Sequence, residues 1–311
     1  MINDSNFLTE FLAEVNFVLA QTDNGNKLND LIAPIRNLLM EEKDLLCFSL
    51  SRYSGANSRV AFFCEWYYQT LKITNDTTQL FEENRKYFRK KVPVKYRGIP
   101  NIDELIDQDI ALFIPHQVAI LHTKSKEILD SLVQKYPYLS RYLNDAFISQ
   151  FYASQYLTRK KKYVESVSVS EYLEAQSTNT SFIQIALPCL LGFCFAFNQE
   201  ESVINPSAIK WVIIEELLKN ISLLHQVNQN QDFEEFIHSN NLSEREQFEW
   251  LQLDSKNKFQ RILSTSETRE IIKTQKNKIY GQAIASIESI QLPDKNKEML
   301  RELLDWVSQI A

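Results

Sequence analysis

Residues 59–80 read RVAFFCEWYYQTLKITNDTTQL. Apolar and aromatic side chains recur there at three- and four-residue intervals, which is the period of a helix and not the alternation of a strand. Phe62, Phe63, Trp66 and Tyr67 crowd the middle, and the run turns polar at Asn75-Asp76-Thr77-Thr78-Gln79. The pattern predicts one long aromatic helix over 57–81. Its polar end has two readings: the remnant of a metal-binding carboxylate motif, or an ordinary polar helix end. The aromatic residues, with Phe81, either line an apolar ligand tunnel or form core.

The same period governs the chain on both sides. Phe7, Phe11, Val15 and Leu19 mark a helix over 7–20, with Asp4 or Ser5 as its cap. Helices follow over 27–40 and 41–54, with a break at Gly55. A basic stretch, ENRKYFRKKVPVKYRGIP (83–100), reads as a connector. Asp103 to about Lys135 reads as one helix whose acidic first turn suits a helix N-terminus. Further helices are predicted over 139–164, from Ser168 or Ser170 to Phe197, from Pro206 to Val227, over 271–289 and over 294–310. Residues 228–270 read as short helices and loops. The prediction is an all-α fold of about ten or more helices in a single domain, 1–311.

Composition narrows the function classes. Among 311 residues, 44% are hydrophobic, enough for one large core or two medium ones. Only 5 Gly and 8 Pro are present, so sharp turns are few and elements long. No GxGxxG or GxxxxGK[ST] loop occurs, which excludes phosphate binding by a glycine loop. A net charge of −6 argues against a generic nucleic-acid or anionic-membrane binder. Cys47, Cys64, Cys189 and Cys194 lie in apolar runs without a CxxC pair, and are expected as buried reduced thiols in a cytoplasmic protein. The N-terminus does not read as a signal peptide. The longest apolar run, 182–197, contains Pro188 and falls short of the roughly 20 residues a membrane span needs.

Several motifs then line up by position. Lys43 lies in EEKDLLCFSLSRYSG, Glu65 precedes Asn75-Asp76-Thr77-Thr78-Gln79, and Tyr96-Arg97-Gly98 follows. Downstream come Gln155 in SQYLT, Tyr172 ahead of Asn179-Thr180, Gly192, and KNISLLHQVNQ at 219–229. This order resembles the trans-isoprenoid diphosphate synthases, the polyprenyl synthetase family, over nearly the whole chain. The resemblance implies an isoprenoid-synthase-like helical bundle around a central apolar cavity. Such enzymes condense allylic and homoallylic diphosphates with magnesium held by two Asp-rich motifs, and commonly dimerise.

Residue by residue, the chemical groups differ. Lys43 matches the family's lysine, but Asp44 and Leu46 replace its arginine partners; Lys43 is either a surviving diphosphate ligand or a solvated lysine. The first Asp-rich motif corresponds to Asn75, Asp76 and Gln79. Two neutral amides stand where the family has carboxylates sharing a helix face, and hard Mg²⁺ prefers anionic oxygens. Arg97 keeps one of two arginines, Pro115-His116 replaces a Gly-Asp pair, and Asn179 replaces a lysine beside Thr180. The diphosphate-binding candidates are therefore Lys43, Arg97, Gln155, Asn179 and Thr180. The second Asp-rich motif corresponds to Lys219, Asn220 and His225, with no carboxylate between Glu216 and Asp232. The cations at 85–97 either attract an anion or form a solvated face.

Other constellations carry less. Glu235 and His238 form a single Glu-x-x-His, read as chance surface residues because di-iron bundles need two copies. His116 and His122 do not share a helix face. No catalytic nucleophile is assigned.

The expectation is a non-catalytic or regulatory partner of an active prenyl synthase, or an isoprenoid binder. The alternative is a prenyltransferase or terpene cyclase with a rebuilt site using an allylic diphosphate. Magnesium is expected only if a diphosphate site survives. Expected partners are an isoprenoid or isoprenoid diphosphate, and a second copy or an active synthase. Nucleic acid and a membrane span are not expected.

Overall fold

The structure, a computed structural model, describes residues 5–21, 28–41, 45–93, 100–140, 143, 182–200, 209–229, 266–290 and 292–309, with single residues between 236 and 257. Among the described residues it is all helical: α1 Ser5–Ala20, α2 Asn29–Glu41, α3 Leu46–Tyr53, α4 Ser58–Asn75, α5 Thr78–Lys91, α6 Ile102–Lys135, α7 Leu187–Glu200, α8 Ile209–Gln229, α9 Ser266–Ser289 and α10 Asp294–Gln309. A short 3₁₀ turn, Pro137–Leu139, follows α6, and a π turn, Phe182–Ala186, leads into α7. Apart from Leu139, Ser140 and Leu143, the predicted helix at 139–164 lies outside the described residues, as does the start of the one from Ser168 or Ser170.

Two sequence expectations are corrected. The run over 57–81 is not one helix. It ends at Asn75, and Asp76 is extended at φ −133° and ψ 101°. Asn, Asp and Thr side chains offer the backbone local hydrogen bonds that compete with helix continuation. The basic stretch is not a connector over its first half, because α5 carries the helix on to Lys91. Periodicity hid α5 because two of its three fully inward positions, Glu83 and Asn84, are polar. Its last turn holds Arg89, Lys90 and Lys91, which suits the negative end of the helix dipole.

The chain divides into two compact units, residues 1–143 with 191–200, and residues 144–190 with 201–311. In the first, α4 is the central element, packing against α3 and α6. Asn57 caps it by accepting from Val60 N at 3.0 Å. Phe62, Phe63, Trp66 and Tyr67 are all buried. Phe62 packs on Phe11 and Trp66, Phe63 stacks on Tyr67, and the Trp66 indole N–H donates to Ser125 Oγ at 3.1 Å. The aromatic stripe is core, with Phe81 half-buried at its end. Gly55 forms the expected break, at φ +110°, a conformation glycine adopts without penalty. Gly192 in α7 lies against the end of α3, where an added Cβ would stand 2.4 Å from Ser54 Cβ.

In the second unit α8 packs against α9, α10 and the π turn. Ile214, Leu217, Leu218, Ile221 and Leu224 are its buried stripe. All four cysteines are buried free thiols. No helix among the described residues is long and apolar enough to cross a membrane.

Candidate functional site

The break between α4 and α5 decides what the Asn75–Gln79 segment can do. Asn75 is the last residue of α4 and Gln79 lies in the first turn of α5, so the two no longer share one helix face. Asn75, Asp76 and Gln79 are all exposed. Asp76 Oδ1 accepts from Thr78 N at 3.0 Å. Hydrogen bonds from the Thr78 side chain and backbone hold the Asp76 carboxyl below the usual carboxylate range. The assigned cap residue, Thr77, makes no side-chain cap bond, so Asp76 does the capping of α5.

These residues do not fit a magnesium–diphosphate cluster. Mg²⁺ takes one or two carboxylates in near-octahedral geometry. Here one carboxylate is present, it already accepts hydrogen bonds from the chain, and its neighbours are neutral amides divided by a helix break. No group of three or more His, Cys, Asp or Glu side chains among the described residues is placed to hold a metal.

Glu65 is equally committed, but in the interior. It is fully buried. Its Oε2 accepts from Phe48 N at 3.1 Å and its Oε1 from Gln69 Nε2 at 2.8 Å. Leu45, at the start of α3, has no side-chain oxygen to cap that helix. Glu65 supplies the acceptor from α4 instead. Sequence reasoning missed this role, because its partner is a backbone amide on another helix.

Among the described residues of the basic segment, four cations are matched by carboxylates. Arg85 pairs with Asp107 at 2.9 Å, Arg89 with Asp103 at 3.0 Å and Lys86 with Glu83 at 3.3 Å. Lys91 pairs with Asp30, which also accepts from Tyr87 and is held below the usual carboxylate range chiefly by Lys91. A cavity of about 340 Å³ between the end of α5 and the start of α6 is lined by Arg89, Lys90, Val92, Ile102, Asp103 and Ile106. Of the diphosphate candidates, Lys43, Arg97, Gln155, Asn179 and Thr180 all lie outside the described residues.

On α8, Lys219 and Asn220 are half-buried and His225 is buried. The His225 ring stacks on Trp306 of α10, with centroids 5.7 Å apart and planes 23° apart. Burial pushes its pKa from 6.5 down to about 4, so the imidazole is neutral at pH 7. His225 is thus part of the packing between α8 and α10. His238 is also buried, which corrects the surface reading of the Glu-x-x-His segment; Glu234 and Glu235 lie outside the described residues. His116 and His122 are exposed on α6.

A further buried group escaped the sequence. Asn84 and Gln117 exchange two amide hydrogen bonds, at 2.8 and 3.0 Å, and each also donates to a backbone carbonyl, Leu80 and Leu31 respectively. Its only signal was a polar residue at a helical core position on each of α5 and α6.

No protein-family model matches the chain. No curated protein matches it by sequence. Solved structures do match. A geranylgeranyl pyrophosphate synthase from Corynebacterium glutamicum, complexed with isoprenyl diphosphate and magnesium, aligns at TM-score 0.67 and 12% identity, over 98% of this chain and 97% of that one. A decaprenyl diphosphate synthase from Rhodobacter capsulatus aligns at TM-score 0.61 and 12% identity, over 97% and 96%. A geranylgeranyl pyrophosphate synthetase from the archaeon Geoglobus acetivorans aligns at TM-score 0.56 and 12% identity, over 98% and 99%. This chain has the all-α isoprenoid-synthase fold of these prenyl diphosphate synthases.

Proposed function

We propose that this chain does not carry out magnesium-dependent prenyl chain elongation by itself, and that it acts as a regulatory partner of an active prenyl synthase. Its retained apolar scaffold suits binding of an isoprenoid in that role. The observation that carries the reading is the fate of Asp76. The single carboxylate left at the first Asp-rich position caps α5 and is separated by the α4–α5 break from a common face with its neighbours. The packing of His225 against Trp306 supports it, because that residue of the second motif is given over to the core.

The test is product analysis with the purified chain, Mg²⁺, an allylic diphosphate and the homoallylic diphosphate. The expected result is no elongated or cyclised product from the chain alone. Added to an active prenyl synthase, the chain is expected to change that enzyme's rate or product length. Turnover by the chain alone that disappears in Asp76→Ala overturns the reading. A Mg²⁺-dependent rise in melting temperature with the allylic diphosphate, lost in the same variant, also counts against it.

A further inference from the structure

A second cavity of the first unit, of about 160 Å³, is lined by residues of α1, α4 and α6. It lies at the start of α4, where Arg59 and Phe62 face it, and so about 20 Å along that helix from the Asn75–Gln79 segment. Part of its lining is apolar. Phe62 and Ile128 are buried there, and Phe17 joins them although it is 58% exposed, one of the few large apolar side chains of the described residues left in solvent.

Four charged side chains line the same cavity. Two satisfy each other: Lys124 Nζ lies 2.7 Å from Glu127 Oε2. The other two, Glu14 on α1 and Arg59 on α4, are of opposite sign and do not meet. Glu14 is half-buried and has no hydrogen bond or ion pair among the described residues. Arg59 Nη2 donates to Ser131 Oγ at 2.8 Å, and its guanidinium pairs with no carboxylate among the described residues.

We propose that this cavity binds a small zwitterion with an apolar body, an α-amino acid of the phenylalanine or leucine kind, with Glu14 at its ammonium group, Arg59 at its carboxylate, and Phe17, Phe62 and Ile128 around its side chain.

Three arguments select this class of ligand. The first is size, since a cavity of about 150 Å³ with apolar walls holds a benzene ring. The second is charge. With Lys124 and Glu127 neutralising one another, the cavity offers one open carboxylate and one open guanidinium. A simple amine would leave Arg59 without a counter-charge, and a simple carboxylate would leave Glu14 without one. A zwitterion answers both, and the guanidinium fork suits a carboxylate. The third is position. Glu14 and Phe17 are three residues apart on α1 and so share a face, which sets an aromatic ring beside the site of the ammonium group. The inference does not rest on whether the chain elongates prenyl groups.

The experiment is isothermal titration of the full chain with L-phenylalanine and L-leucine, and with phenethylamine and hydrocinnamate, which each lack one of the two charges. The amino acids are expected to bind with a dissociation constant below about 1 mM, and the two singly charged probes at least about tenfold more weakly. Glu14→Gln and Arg59→Gln are each expected to weaken phenylalanine binding about tenfold while keeping the native circular dichroism. Phe17→Ala, a change at an exposed apolar position, carries the same test if either charge variant fails to fold. No saturable heat with either amino acid up to about 10 mM overturns the proposal. So does phenethylamine or hydrocinnamate binding as tightly as phenylalanine, or binding that the folded variants leave unchanged.

Discussion

Glu65, in the middle of α4, and Asp76, just past its end, do the same chemical job. Each carboxylate accepts a backbone N–H at the start of a neighbouring helix, α3 for Glu65 and α5 for Asp76. Their surroundings are opposite: Glu65 is fully buried, and Asp76 is exposed. Water can replace the acceptor just past the end of α4 and cannot reach the one in its middle. Capping in the interior is therefore structural in a way that capping at the surface is not, although Asp76 occupies a position where the resemblance suggests ligand chemistry.

Removing the buried acceptor should have the largest effect. Glu65→Ala strands Phe48 N and Gln69 Nε2 away from water and leaves a void between α3 and α4. We expect a loss of about 4 kcal/mol in denaturant unfolding. Glu65→Gln keeps the volume and one acceptor oxygen but turns an amide donor toward a donor, for about half that loss. A Glu65→Ala protein of near-native stability would show that water enters the α3–α4 contact.

His225 extends the comparison to the second unit, where a titratable side chain is buried as packing. Its folded-state pKa lies below its unfolded value, so the unfolded chain gains a proton first as the pH falls. The stability due to neutral His225 is full above about 6.5 and is lost as pH falls toward about 4. Each tenfold ratio is worth about 1.4 kcal/mol, so the whole loss is about 3 kcal/mol. His225→Phe should flatten the pH dependence of melting between those limits, and an unchanged profile would remove His225 as its source.

Gly192 probes the other end of α3. Helix α7 approaches so closely that a Cβ there would lie 2.7 Å from Ser51 O as well as against Ser54. Gly192→Ala gains helix propensity of about 1 kcal/mol but must push the helices apart, for a net loss of about 2 kcal/mol. Combining it with Ser54→Gly should recover part of that loss if the Ser54 contact is the obstacle.

Much of the fold was legible because apolar periodicity survives in α1, α4, α6, α8 and α10. The 103–135 prediction falls within one residue of α6, and Gly55 broke the chain where expected. What was not legible involved polar residues with inward roles. Glu83 and Asn84 disguised α5 as a connector because their burial depends on partners far along the chain, Asn37 and Gln117. The polar run after Asn75 had two readings at sequence level. The capping role of Asp76 is visible only in the backbone there, since a carboxylate that caps and one that binds a cation look identical in one dimension.

The smallest effect belongs to Asp76, and it should be local. Asp76→Ala removes the acceptor for Thr78 N, while water can take its place. The amides at the start of α5, from Thr78 to Leu80, should exchange hydrogen faster, with little change in the global unfolding midpoint. Asp76→Asn keeps an acceptor oxygen and should exchange much like the wild type. The carboxylate is held below its ordinary range, so its contribution is present above about pH 3.8 and is lost as pH falls further. The exchange difference between Asp76→Ala and wild type should therefore be clear at pH 6 and shrink in acid. If Asp76→Ala instead lowers the global midpoint as Glu65→Ala does, burial does not separate the two carboxylates and the contrast between the middle and the end of α4 fails.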